Sequence, residues 1–134
     1  MKTILLVEDD RRIVRALDFR LKAHGFGVRT AFDAVSAMNE ALSEVPTVIV
    51  LDIYLLGGSG LMVGERLRHD VTTTDVPLIF ITASRQPRFR ERAAELSAAA
   101  FLEKPFTAGE LLDAIELAEH GRRWGYGDEM SAAA

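Results

Sequence analysis

The chain has 134 residues, which is enough for one domain with a buried core and too few for two. Its formal net charge is −4 and charged residues make up 27% of it, an ordinary balance for a soluble globular domain. Because the basic residues form no long stripe, direct nucleic-acid binding is not expected. The sequence contains no cysteine, which excludes disulfides, thiolate metal sites and thiol nucleophiles.

No segment of the sequence is long and apolar enough for a membrane span. The apolar run at residues 4–7 is also too short for a signal peptide. We therefore expect a cytoplasmic domain without a membrane partner.

The first part of the sequence alternates apolar strands with amphipathic helices. Residues 3–7 predict a buried strand, and Asp10 caps a helix that ends at Gly25. The apolar residues of that helix recur every four positions, at Ile13, Leu17 and Leu21. Residues 28–32 predict a second strand. Asp33 then caps a helix whose expected buried face is Val35, Met38, Ala41 and Leu42.

The middle of the sequence holds its most apolar strand. Residues 48–51 form an unbroken apolar run that ends on Asp52, a pattern typical of a strand buried on both faces. A glycine-rich turn at residues 57–60 follows, and then a short helix at 61–68 that an interior Gly64 weakens.

The last part of the sequence predicts two more strand–helix units. A strand at 78–81 ends in Thr82 and precedes an arginine-rich helix at 88–96. A short strand at 100–102 leads into Lys104. A capping box at 107–110 begins the last helix, which ends at Gly121 and has the buried stripe Leu111, Leu112, Ile115 and Ala118.

Five strand–helix units with short, right-handed connections predict an α/β, doubly wound, five-stranded parallel sheet between two layers of helices. We assign residues 1–121 to this domain and residues 122–134 to a flexible tail or the start of a linker.

Polar groups follow four of the predicted strands. Taken alone, Asp52 could simply open a turn or cap a helix. In a parallel sheet, however, the carboxyl ends of the strands meet at one edge, where open α/β folds place their sites. The residues brought together there are Glu8, Asp9, Asp52, Thr82 and Lys104.

Three carboxylates at this edge repel one another. At about 5 Å and an effective dielectric near 20, each pair costs on the order of 3 kcal/mol before screening. A cation is therefore needed, and carboxylates with room for water suit Mg²⁺. A divalent ion beside a Lys and a hydroxyl can gather phosphoryl oxygens, and an Asp there can act as a nucleophile.

Four segments in this order, ILLVEDD, VIVLDIYLLGGSG, IFITAS and FLEKPF, resemble the receiver domain of two-component response regulators over residues 2–120. The resemblance implies a flavodoxin-like receiver fold of five βα units. It also implies that Asp52 accepts a phosphoryl group from a histidine kinase or a phosphotransfer protein. Such a domain is not an enzyme beyond its own phosphorylation and dephosphorylation.

The resemblance also implies a role for each site residue. Asp9 binds Mg²⁺ directly, with Mn²⁺ as an alternative ion, and Glu8 binds it through water. Asp52 and the backbone carbonyl of Tyr54 complete the metal site. Thr82 hydrogen-bonds the phosphoryl group and Lys104 pairs with it.

Further roles concern switching and phosphate lifetime. The bond before Pro105 is expected to be cis. Phe101 is either plain core or a switch aromatic that turns inward when Thr82 moves. Tyr54 and Ser84 flank the path of the water that hydrolyses the aspartyl phosphate.

The sequence departs from the receiver pattern at several positions. Leu56 stands where a Pro is usual, and Ser97 replaces a usual Gly, which puts the turn before the fifth strand in question.

One dimer mode of the family pairs charges across the fourth helix, fifth strand and fifth helix. Arg90 and Glu110 fit that set of charges. Apolar residues replace the others, at Leu96, Ala114 and Leu117. The oligomeric state therefore stays open.

Two other functions share parts of this pattern. A flavodoxin-like FMN-binding module would need a Ser/Thr-rich phosphate loop after the first strand, where Glu8 and Asp9 stand instead. A phosphatase with an Asp nucleophile generally has a second Asp two residues later, where Tyr54 stands. The sequence leaves open whether the receiver acts alone or controls an output domain or a downstream protein.

Overall fold

The computed structural model describes residues 1–121, so the predicted tail lies outside the described residues. The strands of its main sheet are β1 Thr3–Val7, β2 Gly27–Ala31, β3 Val48–Asp52, β4 Leu78–Thr82 and β5 Ala100–Glu103. The helices are α1 Arg11–Ala23, α2 Ala34–Ser43, α3 Gly60–His69, α4 Pro87–Glu95 and α5 Ala108–Glu119. A short hairpin, Tyr54–Leu55 with Gly58–Ser59, lies between β3 and α3.

The main sheet is parallel throughout, with the strand order β2-β1-β3-β4-β5. The chain first runs from β1 outward to β2, and then returns past β1 to build β3, β4 and β5. The direction of winding therefore reverses between β1 and β3, and such a switch point opens a cleft at the carboxyl edge. The predicted α/β fold is confirmed.

The sheet separates two hydrophobic clusters, because successive residues of a strand point to opposite faces. In β3, Ile49 and Leu51 pack on the side of α2, α3 and α4, whereas Val48 and Val50 pack on the side of α1 and α5. Burial on both faces explains why the sequence of β3 is apolar without a break.

The predicted buried face of α2 is partly wrong. The helix buries Ala34, Ala37 and Ala41, with Met38 partly buried, whereas Val35 is 68% exposed and Leu42 is also exposed. Short alanine side chains allow α2 to lie close to β1 and β2, a benefit that residue hydrophobicity alone does not indicate. In α1, Val14 joins Leu17 and Leu21 as a buried residue, and Ile13 packs at the edge.

The predicted helix caps are present. The Asp10 side chain accepts a hydrogen bond from the Arg12 N–H, and Asp33 accepts one from the Ser36 N–H. At α5, Thr107 and Glu110 form the full capping box. These caps fix where each helix starts relative to the preceding strand end, and hence the loops that carry the site.

Two positions in the fold have an explanation that the sequence did not provide. Gly64 is required by packing, since a Cβ there would lie 2.8 Å from the Phe80 ring of β4. Ser97 has φ 57, so it adopts the left-handed conformation that glycine prefers. The turn before β5 thus keeps its geometry, at a cost of roughly 1 kcal/mol.

Candidate functional site

The site lies at the carboxyl edge of the sheet, where four neighbouring strands end. Glu8 follows β1, Asp52 ends β3, Thr82 ends β4 and Lys104 follows β5. Glu8 and Thr82 are fully buried, and Asp52 is only 4% exposed. Buried carboxylates require compensating partners, so their contacts define what the site can do.

Lys104 joins the two buried carboxylates. Its Nζ lies 2.5 Å from Oε1 of Glu8 and 2.8 Å from Oδ2 of Asp52. One ammonium group thus neutralises part of the charge of two carboxylates from β1 and β3.

Asp9 completes an acidic cluster with Glu8 and Asp52. One carboxylate oxygen from each of the three residues lies within 4.8 Å of the other two. Asp9 itself is exposed, so the cluster is open to water on one side. An all-oxygen donor set with an open side fits Mg²⁺, which prefers oxygen ligands and keeps several waters.

The electrostatics of the cluster follow from this crowding. Burial raises the pKa of Glu8, and the neighbouring Asp52 raises it further. Desolvation and the nearby Glu8 also raise the pKa of Asp9. Burial alone would lower the pKa of Lys104, but its hydrogen bonds to Asp52 and Glu8 outweigh that effect, so its pKa is raised. The carboxylates are therefore poised to gain from an added cation.

The backbone around Thr82 connects β4 to β5. The Thr82 hydroxyl oxygen accepts a hydrogen bond from the Ser84 N–H at 3.0 Å. Its carbonyl oxygen accepts one from the Lys104 N–H at 2.7 Å. As an acceptor in the first bond, the hydroxyl keeps its own proton for another partner. The peptide bond between Lys104 and Pro105 is cis.

The loop after Asp52 folds back over its own backbone. The Tyr54 N–H donates to Oδ1 of Asp52 at 3.1 Å, and the Gly60 N–H donates to the Ile53 carbonyl at 2.7 Å. A Cβ at position 60 would lie 1.9 Å from the Asp52 carbonyl oxygen, so only glycine fits there. The glycine-rich run predicted a turn but not this requirement.

Two aromatic rings connect the loop after Asp52 to α4. Tyr54 is 54% exposed, and its ring meets the Phe89 ring edge-on, with the centroids 5.6 Å apart. The sequence indicates a role for Tyr54 but gives no signal for Phe89, which falls within an arginine-rich helix. The predicted shielding role of Tyr54 and Ser84 stays a prediction.

Phe101 and Glu103 form a second connection to α4. The Phe101 ring is buried, and the Arg90 guanidinium lies 4.9 Å from its centroid. Arg90 also pairs with Glu103 at 2.7 Å, and Arg85 approaches Glu103 at 3.6 Å. Glu103 is not among the site residues that the sequence predicts, because its one signal is its place at a strand end, directly before Lys104.

Comparisons with known proteins agree with this geometry. Residues 4–116 match the family model of the response regulator receiver domain. The phosphate regulon transcriptional regulatory protein PhoB of Klebsiella pneumoniae is 36% identical over 115 residues, which are 86% of this chain and 50% of that protein. The response regulator PleD of Caulobacter vibrioides is 36% identical over 102 residues, which are 76% of this chain and 22% of that protein.

Solved structures show the same fold. The non-phosphorylated HemR receiver domain from Leptospira biflexa superposes with a TM-score of 0.83 at 32% identity, covering 94% of this chain and 100% of that one. A putative response regulator from Chloroflexus aurantiacus J-10-fl superposes with a TM-score of 0.84 at 26% identity, covering 89% and 98%.

A doubly wound sheet with an acidic cleft at its switch point agrees with the receiver domains that the chain matches, which are signalling domains rather than classical enzymes. The chain belongs to the response regulator receiver domain family and is a receiver domain of two-component systems. It spans about half the length of the curated PhoB relatives. Within residues 1–121, no helix has both the length and the apolar character needed to cross a membrane. The family match does not favour an FMN-binding module or an Asp-nucleophile phosphatase.

Proposed function

We propose that Asp52 accepts a phosphoryl group from a phosphohistidine, carried by a sensor histidine kinase or a histidine phosphotransfer protein, and that the reaction requires Mg²⁺. The observation that supports this role is that Asp52 lies 2.8 Å from the Lys104 ammonium group and within 4.8 Å of the carboxylates of Glu8 and Asp9. Asp52 is held by both a side-chain cation, Lys104, and a backbone N–H of the following loop, that of Tyr54. These contacts fix its orientation for attack.

In the transfer step, a carboxylate oxygen of Asp52 forms a bond to phosphorus as the bond between phosphorus and the donor imidazole nitrogen breaks. The electron pair of the broken bond stays on the imidazole. Lys104 pairs with a phosphoryl oxygen, and the Thr82 hydroxyl donates its proton in a hydrogen bond to another. The Tyr54 N–H keeps the second carboxylate oxygen in place.

Asp9 and Asp52 would hold Mg²⁺ directly and Glu8 would hold it through water, with the Tyr54 backbone carbonyl as a further ligand. Mn²⁺ suits the same oxygen donors. When bound, the ion supplies positive charge that offsets the charge on the phosphoryl oxygens. The three carboxylates outnumber the one ammonium group of Lys104, which leaves the site negative enough to favour a divalent cation.

We further propose that phosphorylation changes the surface formed by α4, β5 and α5, and so controls an output domain or a separate partner. The hydrogen bond from the Lys104 N–H to the Thr82 carbonyl and the ion pair of Glu103 with Arg90 of α4 support this route. Amide shifts on adding beryllofluoride should reach residues 83–106. Shifts confined to the metal ligands would indicate a phosphate carrier without a switch.

Two contexts suit such a domain. It can be a stand-alone receiver in a phosphorelay, or the receiver of a longer regulator such as PhoB, which is named a transcriptional regulatory protein. An antibody against this domain would detect the protein made in the native cells, and its size would distinguish a stand-alone receiver from a longer regulator.

The central test is phosphorylation by a small-molecule donor. Incubation with acetyl phosphate and Mg²⁺ should add one phosphoryl group to the intact mass, and neither the Asp52→Asn variant nor the protein in EDTA should gain it. Asp75→Asn is a matched control, because this exposed carboxylate precedes β4 and therefore lies at the opposite edge of the sheet. A one-phosphoryl gain that survives Asp52→Asn would exclude Asp52 as the acceptor.

A further inference from the structure

The described part of the chain ends beside a small cavity at the amino edge of the sheet. Gly121 follows α5 and has φ 73, a left-handed conformation that turns the backbone away from the helix axis. Gly121 itself lines the cavity, whose volume is about 70 Å³. The segment that follows Gly121 in the sequence therefore starts at the mouth of this cavity.

The cavity has an apolar floor and one carboxylate at its rim. Pro77 and Ala99 precede β4 and β5, and Ala118 lies in the last turn of α5. Both alanines are buried and form the floor. Asp75 is exposed, and within residues 1–121 it forms no ion pair. The cavity is too small for most small-molecule ligands, but it admits one edge of an aromatic ring.

Arg68 also lines the cavity, and its guanidinium is held by the backbone. It donates to four carbonyl oxygens in the segments before β4 and β5. Among the described residues, no ion pair joins Arg68 to Asp75. The Asp75 carboxylate can therefore accept a cation from another part of the chain.

The sequence after Gly121 contains both kinds of group that this cavity suits. Residues 122–126 have the sequence RRWGY, with two cations, two aromatic rings and no carboxylate. Trp124 is three residues beyond Gly121, so an extended backbone carries it at most about 10 Å from there. That distance is sufficient to cover a cavity that Gly121 itself lines.

We infer that the segment Arg122–Trp124 docks on the amino edge of its own domain, with the Trp124 ring on the apolar floor and an arginine paired with Asp75. A segment tethered at the mouth of the cavity has an effective concentration there of about millimolar or more, so a contact of modest strength is sufficient. The chain after this segment then leaves the domain from one fixed position. That position lies at the edge of the sheet opposite to Asp52.

A second acidic surface near the end of α5 provides the competing site. Asp113 and Glu116 also form no ion pair within residues 1–121, and they line a shallow pocket with Leu117. Leu117 is exposed, and no buried apolar residue lines this pocket. The surface offers charge attraction without a place to bury a ring. We therefore expect the indole at the cavity beside Asp75.

Tryptophan fluorescence reports the contact directly, because Trp124 is the single tryptophan of the sequence. For the full 134-residue chain we expect blue-shifted emission, with acrylamide quenching at least about threefold weaker than for the same chain unfolded in urea. Both properties should be independent of protein concentration. Equal quenching of the native and unfolded chains would overturn the proposal. Protection that rises with concentration would also overturn it, because the occupant would then be a second copy.

Charge exchange provides the decisive experiment. Asp75→Lys should lower the ratio of docked to free segment by about two- to fivefold or more, and quenching should become stronger, because the ion pair becomes repulsive. Adding Arg122→Glu and Arg123→Glu to Asp75→Lys should restore the protection, which a purely structural role of Asp75 cannot produce. The matched control is Asp113→Lys, which should leave the emission unchanged. If only Asp113→Lys exposes Trp124, the segment binds α5 and the proposal is wrong.

Urea denaturation tests the same contact without fluorescence. Trp124→Ser should lower the urea midpoint, whereas Tyr126→Ser, two residues further along the sequence, should lower it less. Circular dichroism checks that each variant is folded, and Asp75→Lys should keep the fold because the residue is exposed. Equal midpoints for the wild type and Trp124→Ser would contradict a docked ring.

Discussion

The two edges of the sheet are each bridged by one long basic side chain, with opposite consequences. At the carboxyl edge, Lys104 bonds to the carboxylates of Glu8 and Asp52. At the amino edge, Arg68 donates to the backbone carbonyls that precede β4 and β5. Its distances to the carbonyl oxygens of Thr74, Val76 and Leu96 are 2.9, 2.7 and 2.8 Å, and that to Ser97 is 3.4 Å.

The difference lies in what each cation holds together. The carbonyls around Arg68 carry no formal charge and repel one another far less than carboxylates do, so the folded chain itself supplies all the partners that this edge needs. The carboxylates around Lys104 repel, and one ammonium group offsets only part of their charge. The amino edge therefore serves stability, whereas the carboxyl edge keeps a surplus of negative charge that a ligand can relieve.

Removing Lys104 should give the largest effect on stability. Lys104→Met leaves Glu8 and Asp52 buried without their cation, so we expect the free energy of unfolding in EDTA to fall by about 3 kcal/mol. Mg²⁺ should recover part of this loss, and phosphoryl uptake should slow. Urea denaturation measures the effect. Lys22→Met, in an exposed ion pair with Asp18, is the control and should change stability little. Equal midpoints for Lys104→Met and the wild type would contradict the bridging role.

Removing Arg68 should cost somewhat less and should not depend on Mg²⁺. Arg68→Ala leaves several carbonyls without their charged donor, and we expect a loss of about 2 kcal/mol with and without the ion. Phosphorylation of the folded variant should stay near that of the wild type. Arg66→Ala, an exposed position on the same helix, serves as the control. A stability loss that Mg²⁺ reverses would mean that the two edges are not independent.

Asp9→Asn should stabilise the metal-free protein while weakening its binding of Mg²⁺. It removes one repelling carboxylate, but Asp9 is exposed, so solvent screening should keep the gain in unfolding free energy below about 1 kcal/mol. Urea midpoints in EDTA and a Mg²⁺ titration measure the two effects. Asp10→Asn is a control at the next position, because Asn also caps a helix. If Asp9→Asn is less stable than the wild type in EDTA, the repulsion argument is wrong.

The smallest expected effect concerns phosphate lifetime. A large ring at Tyr54 and a small uncharged Ser84 should slow the approach of water, so we expect decay over many minutes to hours. Tyr54→Asn should decay several-fold faster, whereas Tyr54→Phe keeps the ring and should match the wild type. Phe89→Ala should accelerate decay slightly, because it releases the ring of Tyr54. Decay within seconds, or no difference between wild type and Tyr54→Asn, contradicts shielding.

The sequence predicted the carboxyl edge well for a physical reason. A buried parallel strand requires an unbroken apolar run, so a carboxylate directly after that run, such as Asp52, is conspicuous. Parallel topology then brings the strand ends together without any further information. The amino edge gives no such signal, because Arg68 acts on backbone carbonyls, which every residue has.

Other features escaped prediction because they depend on close approach rather than on hydrophobicity. The buried face of α2 consists of alanines whose small side chains let the helix pack close to the sheet. The prediction that Val35 is buried is therefore wrong. Gly60 passes against the backbone of Asp52, and Gly64 against the ring of Phe80. Such contacts join residues that are distant in sequence, which a local pattern cannot resolve.

The end of β5 connects the acidic cluster to α4 through two adjacent residues, Glu103 and Lys104. Successive side chains of an extended strand point in opposite directions, so Glu103 reaches Arg90 of α4 while Lys104 reaches the acidic cluster. The backbone between them is fixed to Thr82 by a hydrogen bond of 2.7 Å. If charge placed on Asp52 displaces the Lys104 ammonium group, we expect the displacement to reach the pair of Glu103 with Arg90, and through it the position of α4.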